Sequence, residues 1–245
     1  MSNMRVLVTG SADGLGRAAA LELQKAAHRV VVHVRSRARL TAVADLLEAG
    51  AEVVVGDLSD LTQVRDVAEQ ANEIGRMDAV IHNAGVYDGP AVLPVNVVAP
   101  YVLTASMHRP DRLVYLSSGM HRGGHPRLSG LDWRGSRATG SYSDSKLFVT
   151  TLSAAVARLW PDVLSNAVDP GWVPTRMGGP NAPDDLRLGH LTQEWLATSN
   201  DPDALTSGGY WHHQRRVDPH PSVRDEQFQD QLLDALAQFT GTRLS

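Results

Sequence analysis

The sequence contains no cysteine, and only 5% of its residues are aromatic. The absence of cysteine excludes disulfide bonds and zinc sites that are built from thiolates. The chain also lacks any run of about 18 apolar residues, which is the length that a membrane-spanning helix needs. The sequence therefore predicts a protein without a membrane span.

Charge of one sign is not in strong excess either. The formal net charge is −4, with 23 lysines and arginines against 27 acidic residues. Because a phosphate backbone is bound by a dense basic surface, nucleic acid is not an expected partner. The first strand is predicted to begin at Met4 or Arg5, which leaves no room for a cleaved export signal. We therefore expect a cytoplasmic protein.

Short apolar segments alternate with helical segments along most of the chain. Strands are predicted at 5–9, 29–34, 52–55, 79–82, 113–117, 163–168 and 210–213. Helices are predicted at 14–27, 37–49 (with Ser36 as N-cap), 61–74, 95–107, 142–160, 188–198 and 223–239. This alternation predicts an α/β fold, namely a Rossmann-type doubly wound parallel sheet with helices on both faces. A length of 245 residues suits a single domain over 1–245, with an irregular substrate flap at about 176–190.

A glycine-rich turn follows the first strand, in the segment Thr9-Gly10-Ser11-Ala12-Asp13-Gly14-Leu15-Gly16. Gly10 permits the tight turn, while Gly14 and Gly16 let backbone approach phosphates and let the helix lie close to the strand. The N-terminus of the helix offers free N–H groups to a pyrophosphate. The turn therefore predicts a dinucleotide site.

The end of the second strand indicates which dinucleotide is bound. An NAD site usually has a carboxylate about 20 residues beyond the glycines, where it binds the ribose 2′-hydroxyl. This chain has Arg35-Ser36-Arg37 there instead, and Arg39 follows. Arg35 can form a bidentate contact with a 2′-phosphate, with help from Ser36. NADP is therefore predicted as the cofactor, in preference to NAD.

Tyr142 and Lys146 are one helical turn apart and share a helix face. An ammonium about 4 Å from a phenol, at an effective dielectric of about 20, stabilises the phenolate by roughly 4 kcal/mol. That energy corresponds to about three pK units, enough to bring a phenol close to neutral pH. The pair therefore predicts a general acid or base with a lowered pKa.

Together, the T-G-x-x-x-G-x-G turn and the Y-x-x-x-K pair resemble the short-chain dehydrogenase/reductase family. The resemblance implies hydride transfer between a nicotinamide cofactor and a small-molecule carbonyl or alcohol. It implies cofactor contacts from Ser11, Asp13 and Leu15 in the turn and from Tyr142 and Lys146. Further cofactor contacts are implied at Asp57, Leu58, Asn83, Ala84, Gly85, Pro170, Gly171, Val173 and Thr175.

The same resemblance implies a catalytic set of Asn96, Ser118, Tyr142 and Lys146. Ser118 would bind the substrate oxygen beside Tyr142, and Asn96 would hold a water against Lys146. A Gly-rich stretch at 119–141 separates Ser118 from Tyr142 by more than is usual. This stretch, together with Arg35, resembles the retinol-dehydrogenase-like branch of the family.

Some alternatives stay open at this point. The same scaffold can serve a non-catalytic redox sensor, an epimerase or a lyase. The helix at 142–160 can support a homo-oligomer. Trp133, Trp172, Met177 and Tyr87 can line an apolar pocket or belong to the core. No metal site is predicted, since the ten histidines show no convincing ligand spacing.

Overall fold

Eight strands form one sheet in the computed structural model, which describes residues 3–244. The strands are β1 (Arg5–Val8), β2 (Arg29–Val34), β3 (Glu52–Val55), β4 (Ala79–His82), β5 (Arg112–Leu116), β6 (Leu164–Asp169), β7 (Tyr210–His212) and β8 (Arg215–Arg216). Their order is β3-β2-β1-β4-β5-β6-β7-β8, and every pair is parallel except the antiparallel pair β7–β8. The predicted doubly wound α/β fold is confirmed.

Seven α-helices cover the two faces of this sheet. They are α1 (Gly14–Lys25), α2 (Ala44–Glu48), α3 (Leu61–Ile74), α4 (Ala99–Ser106), α5 (Tyr142–Leu159), α6 (Leu186–Thr198) and α7 (Glu226–Thr240). Successive side chains of a strand point to opposite faces, so β1 serves both layers. Leu7 packs into the core on the side of α3, α5 and α7, and Val6 and Val8 pack on the side of α1 and α6.

Two predicted helices begin differently from the sequence prediction. Residues Arg37–Val43 form a 3₁₀ helix, because the Ser36 side chain makes no cap hydrogen bond and the first turn has no acidic residue. The predicted helix at 95–107 begins with a π-helical turn at Pro94–Val98. Proline at position 100 lacks the N–H that a regular helix requires, and α4 starts only at the residue before it.

The end of the chain also departs from prediction. The predicted helix at 223–239 is a 3₁₀ turn at Pro221–Arg224 followed by α7, and β8 was not predicted. α7 packs on α5, with Phe228 near Phe148 and Arg158 donating to Gln229 at 2.9 Å. We predicted that α5 could support a homo-oligomer, but α7 of the same chain covers this part of α5. The homo-oligomer stays a prediction.

None of the helices within residues 3–244 combines the length and the apolar character required to cross a bilayer.

Candidate active site

A crevice of about 1190 Å³ opens at the carboxyl ends of the parallel strands. It lies where the strand order reverses between β1 and β4, which is where doubly wound sheets bind their ligands. Most of the predicted cofactor residues line it, namely Gly10, Asp13, Gly14, Leu15, Arg35, Asp57, Leu58, Asn83, Ala84, Gly85, Tyr142, Lys146, Pro170, Gly171, Val173 and Thr175. Predicted residues from distant parts of the sequence are therefore brought into one crevice.

The glycine turn fits a dinucleotide for steric reasons. Gly10 and Gly14 have φ angles of +68° and +53°, which favour glycine. A Cβ on Gly16 would lie 2.3 Å from Asn83 Nδ2 and 2.6 Å from the Gly10 carbonyl oxygen. α1 can therefore begin this close to the strand ends only if residue 16 is glycine. The side chain of Asp13 caps the helix by accepting a hydrogen bond from Gly14 N at 2.7 Å.

Three of the predicted cofactor residues, Ser11, Gly16 and Ser36, do not line the crevice. Ser11 is fully buried, and its Oγ donates to the Val8 carbonyl and accepts from His33 N. It therefore joins β1 to β2. Gly16 acts through the close packing described above, and Ser36 is exposed at the start of the 3₁₀ helix.

His33 is a residue of the crevice that the sequence reasoning missed. It is buried, its Nδ1 accepts from Gly10 N at 3.0 Å, and its Nε2 donates to the Gly56 carbonyl at 2.8 Å. Burial lowers the pKa of the imidazole, which keeps this tautomer neutral. His33 thereby fixes the glycine turn from below. The only signal for this role in the sequence is a histidine directly before Val34, the last residue of β2.

The Asn83-Ala84-Gly85 segment forms the floor of the crevice. Asn83 Nδ2 donates to the Thr9 carbonyl at 2.9 Å, and Ala84 N donates to Thr9 Oγ1 at 3.0 Å. These bonds join the end of β4 to the end of β1. Since a Cβ on Gly85 would lie 3.5 Å from Lys146 Nζ, this floor lies directly against one of the predicted catalytic residues.

Ser118, Tyr142 and Lys146 come together in the crevice. Ser118 follows β5 and is close enough to Tyr142 to act on the ionisation of its phenol, while Lys146 Nζ lies 5.4 Å from the centre of the Tyr142 ring. The Ser141–Asp144 capping box fixes the start of α5 and hence the position of the tyrosine. The arrangement places a hydroxyl, a phenol and an amine around one point, as acid–base chemistry on an oxygen requires.

The predicted lowering of the phenol pKa is not found, and the prediction was wrong for this arrangement. Burial raises the pKa of Tyr142 to about 12, although the neighbouring Ser118 hydroxyl acts in the opposite direction. Lys146 is also buried, which lowers its own pKa to about 8, and its Nζ donates to the Leu116 carbonyl at 2.7 Å. Desolvation therefore outweighs the attraction that the sequence suggested. Tyr142 carries its proton at neutral pH.

The low pKa of Lys146 makes the stability of the protein depend on pH. A lysine in an unfolded chain has a pKa near 10.4, so between about pH 8 and pH 10.4 the unfolded state binds more protons than the folded state. The contribution of Lys146 to the free energy of unfolding therefore rises with pH across that window. We expect the free energy of unfolding of the wild type, relative to Lys146→Met, to increase by about 2 kcal/mol from pH 7 to pH 10.

Urea unfolding at both pH values measures this difference. Lys25, the other lysine of the sequence, is exposed and provides the matched control. Lys25→Met should show no such dependence relative to the wild type. Equal pH dependence of the two variants would contradict the role of burial at Lys146.

Asn96 does not line the crevice but lies directly behind it. Its side chain is buried in the π-helical turn, where Oδ1 accepts from Val86 N and Nδ2 donates to the Val86 carbonyl, both at 2.9 Å. Nδ2 also donates to Ser145 Oγ at 2.9 Å. Asn96 thus ties the crevice floor to α5, and its role as a water ligand stays a prediction.

The Gly-rich stretch at 119–141 packs against α5. A Cβ on Gly124 would lie 2.6 Å from the Ser143 carbonyl, so glycine is needed for this close contact. His121, fully buried, contacts the Ser118 carbonyl through Nδ1 at 2.8 Å and accepts from His220 N at 2.9 Å. The stretch thereby holds Ser118 in place from outside the crevice, a role that the sequence did not reveal.

The outer part of the crevice has an apolar rim formed by four exposed side chains, Tyr87, Met120, Trp172 and Met177. The ring of Tyr87 lies 4.8 Å from that of Tyr142. Trp133 does not belong to the rim, because it is buried against Phe148 in the core. Apolar surface beside Tyr142 suits an apolar or aromatic ligand.

Within residues 3–244, no group of three or more His, Cys, Asp or Glu side chains is placed to hold a metal ion.

Comparisons with known proteins identify the class. The profile of the short chain dehydrogenase family matches residues 4–110. An uncharacterized oxidoreductase of Emericella nidulans is 35% identical, over 97% of this chain and 97% of its own length. The short-chain dehydrogenase chyC of Penicillium rubens is 35% identical, over 98% of both chains. Mouse retinol dehydrogenase 14 is 31% identical, over 73% of this chain and 64% of its own.

Solved structures agree on the fold. An uncharacterized protein from Mycobacterium paratuberculosis superposes with a TM-score of 0.80 at 22% identity, covering 100% of this chain and 96% of that one. A metagenomic blue fluorescent protein in complex with NADPH gives a TM-score of 0.70 at 22% identity, covering 86% and 96%.

The chain belongs to the short-chain dehydrogenase/reductase family. Within it, the chain falls in the retinol-dehydrogenase-like branch that the sequence predicted. It is an oxidoreductase with a site for a nicotinamide cofactor, and it acts on small molecules.

Proposed function

We propose that this protein is an NADP-dependent carbonyl reductase whose substrates have an apolar or aromatic body. The observation that carries the proposal is the Ser118–Tyr142–Lys146 group, which lies in the same crevice as the glycine turn. A purely structural role would not require a buried lysine beside a partly buried phenol, since desolvation opposes the ionisation of both groups.

In the proposed reaction, bound NADPH supplies the hydride to the carbonyl carbon. Tyr142 holds the proton at Oη that the carbonyl oxygen takes up, and its raised pKa keeps this proton in place at neutral pH. Ser118 donates a hydrogen bond to the same oxygen, which stabilises the negative charge that develops there. Lys146, with a pKa of about 8, is charged at pH 7 and stabilises the phenolate that proton transfer leaves.

The basic end of β2 supports NADP as the cofactor. Arg35 and Arg39 line the crevice, and neither side chain makes a hydrogen bond or ion pair with another residue among those that the structure describes. An unpartnered guanidinium at this position is available to a 2′-phosphate. The NADPH found in the blue fluorescent protein of the same fold is consistent with this preference.

Replacing Arg35 with alanine is expected to raise the KM for NADPH by about tenfold to a hundredfold, because a charge-assisted hydrogen bond is lost. The KM for NADH should change much less, since NADH has no 2′-phosphate. Steady-state kinetics with both cofactors measure the difference. Arg29→Ala, an exposed arginine at the start of β2, serves as the matched control. Equal changes for NADPH and NADH would contradict the assignment.

A screen of aldehydes and ketones tests the reaction itself, following the absorbance of NADPH together with the amount of alcohol formed. A reductase consumes one NADPH for each alcohol. An epimerase or a lyase would convert substrate without net loss of NADPH, and a redox sensor would bind NADPH without turnover. Either result would reject the proposed function.

A further inference from the structure

Asp169 is a carboxylate in the crevice that the proposed reaction does not use. It is the last residue of β6, and its side chain is 15% exposed. β5 and β6 are in register at Leu116 and Val168, so the next residues, Ser117 and Asp169, lie side by side. Asp169 in turn pairs with His212 on β7. The carboxylate therefore lies at the strand ends next to Ser118, and it is close enough to Tyr142 to act on its ionisation.

The two oxygens of Asp169 have different surroundings. Oδ1 accepts a hydrogen bond from Gly171 N at 3.0 Å, which fixes the turn after β6. A Cβ built on Gly119 would lie 3.1 Å from Oδ2, so Oδ2 faces the backbone just after Ser118. The ionisable side chain paired with it is that of His212, whose Nδ1 lies 3.7 Å from Oδ2. That distance exceeds a normal hydrogen bond. The turn requires only Oδ1, and Oδ2 retains acceptor capacity.

No lysine or arginine forms an ion pair with Asp169 among residues 3–244. His212 is partly exposed, and Tyr210, whose hydroxyl is buried nearby, has its pKa raised by burial and by the Asp169 carboxylate. A mostly buried carboxylate is stable when donors satisfy both oxygens. A donor that arrives with the substrate would complete this requirement.

We propose that Asp169 determines substrate specificity, its Oδ2 accepting a hydrogen bond from a hydroxyl or ammonium group on the carbon next to the substrate carbonyl. This inference rests on the proposed carbonyl reduction. The position follows from the strand register, since Ser118 binds the carbonyl oxygen and Oδ2 faces the backbone that follows Ser118. The apolar rim takes the body of the substrate. The same carboxylate repels an anionic group at that carbon.

The test uses three ketones that share a phenyl body, namely 2-hydroxyacetophenone, acetophenone and phenylglyoxylate. The quantity measured is kcat/KM with NADPH for each ketone. The wild type is expected to prefer 2-hydroxyacetophenone to acetophenone and to disfavour phenylglyoxylate. Asp169→Asn retains an oxygen for Gly171 N but presents an amide donor in place of the free acceptor. This variant should lower the ratio of 2-hydroxyacetophenone to acetophenone about tenfold and raise the relative rate for phenylglyoxylate.

Asp66→Asn is the matched control, because Asp66 is an exposed residue of α3. It should leave the ratios as in the wild type. If kcat/KM fell equally for all three ketones in Asp169→Asn, Asp169 would act only through the Gly171 turn. That result would overturn the inference and leave the proposed function intact. An unchanged ratio would do the same. Failure of the wild type to oxidise NADPH with any aldehyde or ketone would overturn both.

Discussion

Tyr142→Phe is expected to lower kcat for carbonyl reduction by roughly 10²- to 10⁴-fold, the range that a general acid contributes. The variant removes only the hydroxyl, and the phenyl ring can keep its contact with Tyr87. NADPH should therefore still bind. Pre-steady-state mixing with NADPH and a ketone measures the hydride step, and titration of NADPH fluorescence measures binding.

The raised pKa of Tyr142 also predicts how the loss of activity in Tyr142→Phe depends on pH. With a pKa of about 12, the phenol is protonated across the neutral range, so loss of the hydroxyl removes the proton source at every pH from 6 to 9. The deficit of the variant should thus be nearly independent of pH from 6 to 7, below the pKa of about 8 at which Lys146 loses its charge. A deficit that disappears at low pH would indicate that another group supplies the proton.

Tyr101→Phe is the matched control for the loss of a phenol hydroxyl. Tyr101 is buried outside the crevice and donates to the Thr242 carbonyl at 2.7 Å. Its removal should cost about 1 kcal/mol of stability and leave kcat unchanged. Comparable activity of Tyr142→Phe and Tyr101→Phe would refute the catalytic assignment.

Gly16→Ala is expected to weaken NADPH binding by about tenfold to a hundredfold, the equivalent of an overpacking cost of roughly 1–3 kcal/mol. The added Cβ would lie 2.3 Å from Asn83 Nδ2 and 2.6 Å from the Gly10 carbonyl. Because both partners belong to the tightly bonded strand ends, α1 must shift away from the crevice. The helix N-terminus would then no longer face the pyrophosphate. The thermal midpoint should also fall.

Isothermal titration with NADPH and a thermal melt test this expectation. Gly123→Ala is the control, since the nearest atom to its added Cβ is Ser143 Oγ at 4.0 Å. It should bind NADPH normally. If Gly16→Ala bound NADPH as tightly as the control, the close approach of α1 to β1 and β4 would not be what builds the cofactor site.

Much of the fold was predictable because its signals are local. Alternating apolar and helical segments marked the strands from β1 to β7 to within a few residues. The short β8 was not predicted, since its two exposed arginines carry no strand signal. They pair with β7 only because of the turn after His212. The π-helical turn at Pro94–Val98 was not predicted either.

The candidate site was predictable in its members but not in its energetics. The glycine turn, Ser118, Tyr142 and Lys146 were each marked by spacing in the sequence. Spacing could not show that burial raises the phenol pKa and lowers the lysine pKa, because desolvation depends on everything packed around a group. Trp133 was similarly a candidate for the apolar pocket, but it lies in the hydrophobic core.

By itself, the sequence determined the strand and helix pattern, the glycine turn predicted to bind a dinucleotide and the residues to which we assign the acid–base chemistry. These depend on neighbours in the chain, which backbone geometry relates directly. Only the tertiary structure decided that His33 supports the turn, that His121 holds Ser118 and that Asp169 lines the crevice. Those roles arise where strand ends from distant segments meet, and burial at that edge sets the charge of each group.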